Sequence, residues 1–274
     1  MSAPSSPQPA PPIGVFDSGV GGLTVLRALR ERLPCEDFIY LGDTARLPYG
    51  TKSPQTVARY SLQCAQGLLR RGARALVVAC NTASASALPA LRQAHPHLPI
   101  VGVIEPGAAE AVRVSVSRHI AVIATQATIA GGAYEHAIHR IAPDARVVTR
   151  ACSLFVALAE EGWVDGPIAD AVARRYLDDL FRGAEPPDTL VLGCTHFPLM
   201  LSAIRVAVPA GVTLVDSADT TAQFVARELG ATGSPSRPGT IRWLATDGAA
   251  RFAQVGSRFL GQRLREDQIE IVDL

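Results

Sequence analysis

Two apolar runs in this chain end alike: Ala75-Leu-Val-Val-Ala-Cys80-Asn81-Thr82 and Thr189-Leu-Val-Leu-Gly-Cys194-Thr195-His196. A short unbroken apolar run bounded by polar residues fits a strand buried on both faces. Each run then delivers a thiol to the C-terminal edge of a parallel sheet, where open α/β sheets bind ligands. Two thiols presented this way can face one substrate from opposite sides. A reaction that takes a proton from one face of a carbon and returns one to the other needs such a pair.

The remaining pattern is of the same class. Strands are expected at Ile13–Phe16, Phe38–Leu41, Leu76–Ala79, Ile100–Ile104, Ile120–Ala124, Arg146–Thr149, Leu190–Leu192 and Val212–Val215, with one more near Ile269–Val272. Helical patterns lie between them, among them Leu23–Arg32, Pro54–Arg71, Ile168–Phe181 and Thr220–Leu229. Pro54 and Pro198 are placed as helix starts. Residues 231–240, rich in Gly and Pro, read as a loop before a last helix. Strands alternating with helices mean βαβ units and mostly parallel sheets.

The pattern also repeats. Ile13-Gly-Val-Phe-Asp17-Ser18 is matched by Ile120-Ala-Val-Ile-Ala124-Thr125, and Ile100-Val-Gly-Val-Ile-Glu105 by Leu214-Val-Asp-Ser-Ala-Asp219, at an offset close to that of the cysteine runs. Two related α/β halves would bring Asp17, Ser18 and Cys80 from one half against Thr125 and Cys194 from the other. The cleft between them is the expected small-molecule site.

Composition narrows the function. Apolar residues make up 48% of the chain, enough for a core. The net charge of +1 gives no reason to expect nucleic acid or an anionic membrane as partner. No apolar stretch is long enough to span a bilayer. Five cysteines, an odd number without a Cys-x-x-Cys pair, suit neither a disulfide framework nor a structural zinc site. Free thiols point to a reducing compartment, and the cytoplasm is the expected location. Residues 1–12 read as a disordered Pro/Ser tail rather than a signal peptide.

Asp17-Ser-Gly-Val-Gly-Gly22 follows a strand and opens a helix, so its glycines allow a tight turn and the helix end offers N–H groups to an anion. It is neither Gly-x-Gly-x-x-Gly nor a Walker loop, which argues against a dinucleotide or ATP. Free cysteine is ordinarily a buried core residue, and Cys35, Cys64 and Cys152 are read so. Cys80 and Cys194 differ by position, since a following helix N-terminus would lower a thiol's pKa toward working range. His196 can hydrogen-bond a thiol or a substrate carboxylate, and Asp17 can do the same on the other face. Cys80, Cys194 and His196 lack zinc-ligand spacing. A single-cysteine nucleophile would give no reason for the second thiol.

In chain order, several blocks resemble the glutamate racemases. These are Phe16-Asp-Ser-Gly-Val-Gly-Gly-Leu-Thr-Val25, Tyr40-Leu-Gly-Asp-Thr-Ala-Arg-Leu-Pro48-Tyr49-Gly50, Ala79-Cys-Asn-Thr-Ala-Ser84, Gly102-Val-Ile-Glu-Pro-Gly-Ala108, Ala124-Thr-Gln-Ala-Thr128 and Leu192-Gly-Cys-Thr-His-Phe-Pro-Leu199. The resemblance implies two pseudo-symmetric domains, the first built from 13–104 plus 214–274 and the second from 105–213, with the substrate between them. It implies interconversion of L- and D-glutamate without a cofactor, with Cys80 and Cys194 as acid/base thiols and D-glutamate supplied for peptidoglycan. By motif position Asp17, Ser18, Pro48, Tyr49, Gly50, Asn81, Thr82, Thr125, Thr195 and His196 would hold glutamate, with Asp17 and His196 also assisting catalysis. The block Cys152-Ser-Leu-Phe-Val-Ala-Leu-Ala-Glu160 lacks two prolines often found there, so an auxiliary role for Glu160 is not carried over. A homodimer is a permitted assembly; no metal is expected. An aspartate-directed enzyme is the nearest alternative, and Pro48-Tyr49-Gly50 weighs against it. A non-catalytic binding module is the other, and retention of both thiols weighs against that.

Overall fold

Unbroken apolar runs become the central strands. The computed structural model describes residues 10–230 and 237–274. The first half runs β1 (Ile13–Asp17), α1 (Leu23–Arg32), β2 (Phe38–Gly42), α2 (Pro54–Leu69), β3 (Ala75–Val78), α3 (Asn81–Ala94), β4 (Ile100–Gly102) and α4 (Ile104–Val114). The second runs β5 (His119–Ala124), α5 (Gln126–Ala130), α6 (Ala133–Ile141), β6 (Arg146–Ala151), α7 (Leu154–Glu161), α8 (Gly166–Leu177), β7 (Thr189–Gly193), α9 (Leu201–Ala207) and β8 (Thr213–Asp216). Then follow α10 (Ser217–Leu229), β9 (Ile241–Ala245), α11 (Ala249–Leu260) and β10 (Ile269–Ile271).

Among the described residues the strands form a six-stranded sheet, β10-β9-β2-β1-β3-β4, and a four-stranded sheet, β6-β5-β7-β8. Every neighbouring pair is parallel. Strands β1, β2, β3 and β7 are buried along their whole length because helices cover both faces. The repeat seen in the sequence is a repeat of topology. The order β2-β1-β3-β4 recurs as β6-β5-β7-β8. Register recurs as well: Ile13 pairs with Ala75 as Ile120 does with Thr189, and Leu76 with Ile100 as Leu190 does with Leu214.

Two expectations change. The boundary at 214 falls inside β8, which pairs with β7 and so belongs to the second sheet; a strand cannot be divided between sheets. The chain returns to the first sheet through β9 and β10, with α10 packed against both α1 and α4 on the way. Strand β9 was not expected at all. Arg242 interrupts its apolar pattern, but the side chain lies at the surface and pairs with Glu270 of β10 at 2.6 Å. The expected tail lies mostly outside the described residues, as do positions 231–236 of the expected loop.

Asp188 joins the second sheet to the turn before β5. Its carboxylate accepts from Ser115 Oγ at 2.6 Å, Val116 N at 2.8 Å, Ser117 N at 2.6 Å and Thr189 Oγ1 at 2.8 Å. Burial would raise its pKa, but these donors outweigh it and hold the group at about 2. The stabilisation is therefore present above the unfolded value and fades as pH falls through about 2. Asp188→Asn, which turns an NH₂ toward these donors, is expected to cost about 1 kcal/mol in urea unfolding at neutral pH, since water reaches part of the cluster. Unchanged stability would show that the cluster is dispensable.

Candidate active site

A cavity of about 310 Å³ opens between the two halves. It is walled by the C-terminal ends of strands from both sheets, as the strand-end reading requires. Asp17 ends β1 and Ser18 follows it, Cys80 and Asn81 follow β3, Thr125 follows β5, and Cys194 to His196 follow β7. Pro48, Tyr49 and Gly50 come from the loop between β2 and α2, and Thr82 from α3. All the residues expected at the site thus line one cavity. Glu160, Ser153, Val156 and Ala157 of the α7 region line it too.

Each thiol leads to a carboxylate through one intermediate side chain. Cys80 Sγ donates to Ser18 Oγ at 3.7 Å, and Ser18 Oγ donates to Asp17 Oδ1 at 3.5 Å. On the other side Cys194 Sγ lies 3.8 Å from His196 Nδ1, and His196 Nε2 lies 3.2 Å from Glu160 Oε1. Glu160 also meets Arg251 at 3.3 Å. The residue whose role was not carried over is therefore bonded directly to a site histidine, and loss of the neighbouring prolines does not prevent it.

The two sides differ electrically. Burial pushes the Cys80 thiol up to about 12, and the nearby Asp17 carboxylate adds to this. Cys80 does cap α3, accepting from Ala83 N at 3.4 Å. That single donor does not offset burial, so the lowered pKa expected for this thiol is not found. No α-helix starts beside Cys194; a 3₁₀ turn, Phe197–Met200, follows it, and His196 supplies the local positive charge. Burial would lower the His196 pKa, but hydrogen bonds to Cys194 and Glu160 outweigh it and raise it to about 10. These partners favour the protonated ring.

The glycine turn does a different job from the one expected. Two of its N–H groups are already taken: Gly19 N and Gly22 N donate to Asp17 Oδ2 at 3.3 and 2.8 Å. Asp17 is thereby fixed, and burial raises its pKa despite these donors. The turn also has to pass close to the second half. A Cβ on Gly21 would sit 2.5 Å from the His196 ring and from Thr195 Oγ1, closer than real contacts allow. Gly21→Ala is therefore expected to displace His196 and lower turnover by roughly 10²-fold, the scale set by misplacing a catalytic group by an ångström. Retained wild-type turnover would show that His196 tolerates the shift.

Neutral donors predominate in the cavity. Thr82, Thr125 and Thr128 form a ring of hydroxyls with Oγ1 separations of 3.1–3.2 Å. Thr24 Oγ1 donates to the Thr195 carbonyl at 3.1 Å, tying α1 to the Cys194 loop. Among the described residues no arginine or lysine lines the cavity. Nor does any cluster of three His, Cys, Asp or Glu side chains there suit a metal ion.

Sequence reasoning missed Thr128 and Tyr134. Thr128 stands one helical turn after Thr125, a spacing that could have flagged it. Tyr134 reaches Asn81 from α6 and leaves no local signal. Of the three cysteines read as core residues, Cys64 and Cys152 are buried but Cys35 is only partly so.

Residues 13–225 match the Asp/Glu/Hydantoin racemase family. The chain is 54% identical over 256 residues to a glutamate racemase of Geobacter metallireducens, covering 92% of this chain and 93% of the relative. Its fold matches a crystal structure of glutamate racemase isoform RacE1 from Bacillus anthracis with a TM-score of 0.90 at 34% identity, covering 97% and 99% of the two chains. It also matches glutamate racemase from Francisella tularensis in complex with D-glutamate, with a TM-score of 0.87 at 36% identity and coverage of 96% and 97%. The chain belongs to the Asp/Glu/Hydantoin racemase family and, within it, to the glutamate racemases.

Proposed function

We propose that the chain interconverts L- and D-glutamate by proton transfer between two thiols, without a cofactor, and that it works in the cytoplasm to supply D-glutamate for peptidoglycan. The observation that carries the mechanism is that Cys80 and Cys194 line one cavity from opposite sheets. Their surroundings divide the roles. Cys194, in contact with His196 Nδ1 at 3.8 Å, takes the α-proton of L-glutamate. Cys80, held as a thiol by burial and Asp17, gives its proton to the opposite face. The product is D-glutamate, with the thiol and thiolate exchanged; the reverse reaction starts from that state. Ser18, Asn81, Thr82, Thr125 and Thr195 hold the two substrate carboxylates with neutral donors, and His196 adds charge.

A Schiff-base route has little support in this chain. Its one lysine, Lys52, is not among the residues lining the cavity. The crystallised Francisella relative with D-glutamate supports the choice of substrate. The test is to dialyse the purified chain against a chelator, mix it with L-glutamate or L-aspartate, and follow circular dichroism of the amino acid. Glutamate should lose its signal and aspartate should keep it. Racemisation of aspartate alone, or activity that needs added metal or pyridoxal phosphate, would overturn the reading.

A further inference from the structure

Asn81 stands at the start of α3, directly after Cys80, and is almost fully buried. Its Oδ1 accepts from Tyr134 Oη at 2.8 Å, while its Nδ2 has no protein partner. A donating tyrosine hydroxyl must face the amide oxygen, so the NH₂ is left over. An NH₂ group only donates, and an unmade bond at a buried donor is unfavourable. The missing partner is therefore an acceptor, and Asn81 lines the cavity in which a bound amino acid would present a carboxylate.

Tyr134 comes from the other half of the molecule. Its ring sits beside two glycines. A Cβ on Gly193 would come within 2.8 Å of Cε2, and one on Gly107 within 3.5 Å of Cε1 and the hydroxyl. Gly193 immediately precedes Cys194, and Asn81 immediately follows Cys80. One buried ring thus touches both segments that carry the thiols, and its hydroxyl decides which end of the Asn81 amide is free.

We propose that Tyr134 is a positioning residue for substrate binding: it locks the Asn81 amide with its NH₂ available to a glutamate carboxylate. This rests on the reading of Asn81 as a glutamate ligand. Without the hydroxyl the amide can turn, and half of its orientations present an oxygen to an anion.

The experiment compares Tyr134→Phe, Asn81→Ala and the double variant in steady-state racemisation of both enantiomers, with calorimetric titration of D-glutamate and thermal unfolding of each. Tyr134→Phe keeps the ring, so the packing beside Gly193 is preserved. KM and Kd should rise about five- to tenfold, the scale of one lost hydrogen bond, with kcat changed much less. In the Asn81→Ala background the same change should add nothing further, because residues acting through one contact are not additive. A lower unfolding temperature with unaltered KM and Kd would overturn the proposal. So would an equal factor in both backgrounds. An Asn81→Ala variant with wild-type KM would remove Asn81 from binding and the proposal with it. A wild-type chain inactive on glutamate would instead fail the functional reading itself.

Discussion

Cys80→Ser and Cys194→Ser are each expected to lower racemisation in both directions by about a thousandfold, the scale of a lost acid or base. A free thiol has a pKa of roughly 8.5 and a hydroxyl is a far weaker acid, so serine can neither hold the negative charge nor surrender its proton in time. The loss has to appear in both directions because a group that removes the proton from one enantiomer returns it to the other. Binding of D-glutamate should survive, since the hydroxyl and amide donors of the cavity are unchanged. In heavy water the intact enzyme should place deuterium chiefly in the product enantiomer during early turnover, because each face has its own proton source. Equal label in recovered substrate and product would indicate one shared base. Substantial turnover by either serine variant would equally sink the two-thiol mechanism.

The asymmetry between the thiols was not legible in the sequence. Position after a strand placed Cys80 and Cys194 at the cavity, because the C-terminal edge of a parallel sheet is fixed by chain direction alone. Local sequence also suggested the repeat, and the two sheets share strand order and register. What surrounds each sulfur is set by residues distant in the chain. Glu160 reaches His196 from α7, and Asp17 accepts from its own glycine turn. Tyr134 reaches Asn81 from α6. Burial, which dominates the Cys80 thiol, depends on the whole fold, and a helix-end rule applied to one segment cannot supply it. Strand β9 escaped notice for a similar reason: with Arg242 inside it, only pairing with β2 and β10 makes Ile241–Ala245 a strand.

That strand has a consequence at the site, through Asp43. Asp43 directly follows β2 and is fully buried, with 0% exposure. Its carboxylate accepts from Arg46 Nε at 2.7 Å, from Thr246 Oγ1 at 3.0 Å and from the Tyr49 hydroxyl. Thr246 directly follows β9, so the chain's return supplies one side of the cluster. Arg46 in turn lies 4.4 Å over the Tyr60 ring and reaches Cys64 Sγ at 3.8 Å. Together these contacts fasten the loop that carries Pro48, Tyr49 and Gly50 to the cavity wall. Asp43→Ala would leave a partly buried guanidinium and a buried phenol without their shared acceptor. Leaving donors here without their acceptor costs about 1–3 kcal/mol, a sizeable part of a domain's stability. Urea unfolding should show a loss of that size, and KM for glutamate should rise as the loop loses its anchor. Arg46→Ala made on top of Asp43→Ala should cost much less than Arg46→Ala alone, because the guanidinium it removes is already unpaired. An Asp43→Ala variant within about 1 kcal/mol of wild type would show that water replaces the carboxylate freely, and that the loop is held by its other contacts.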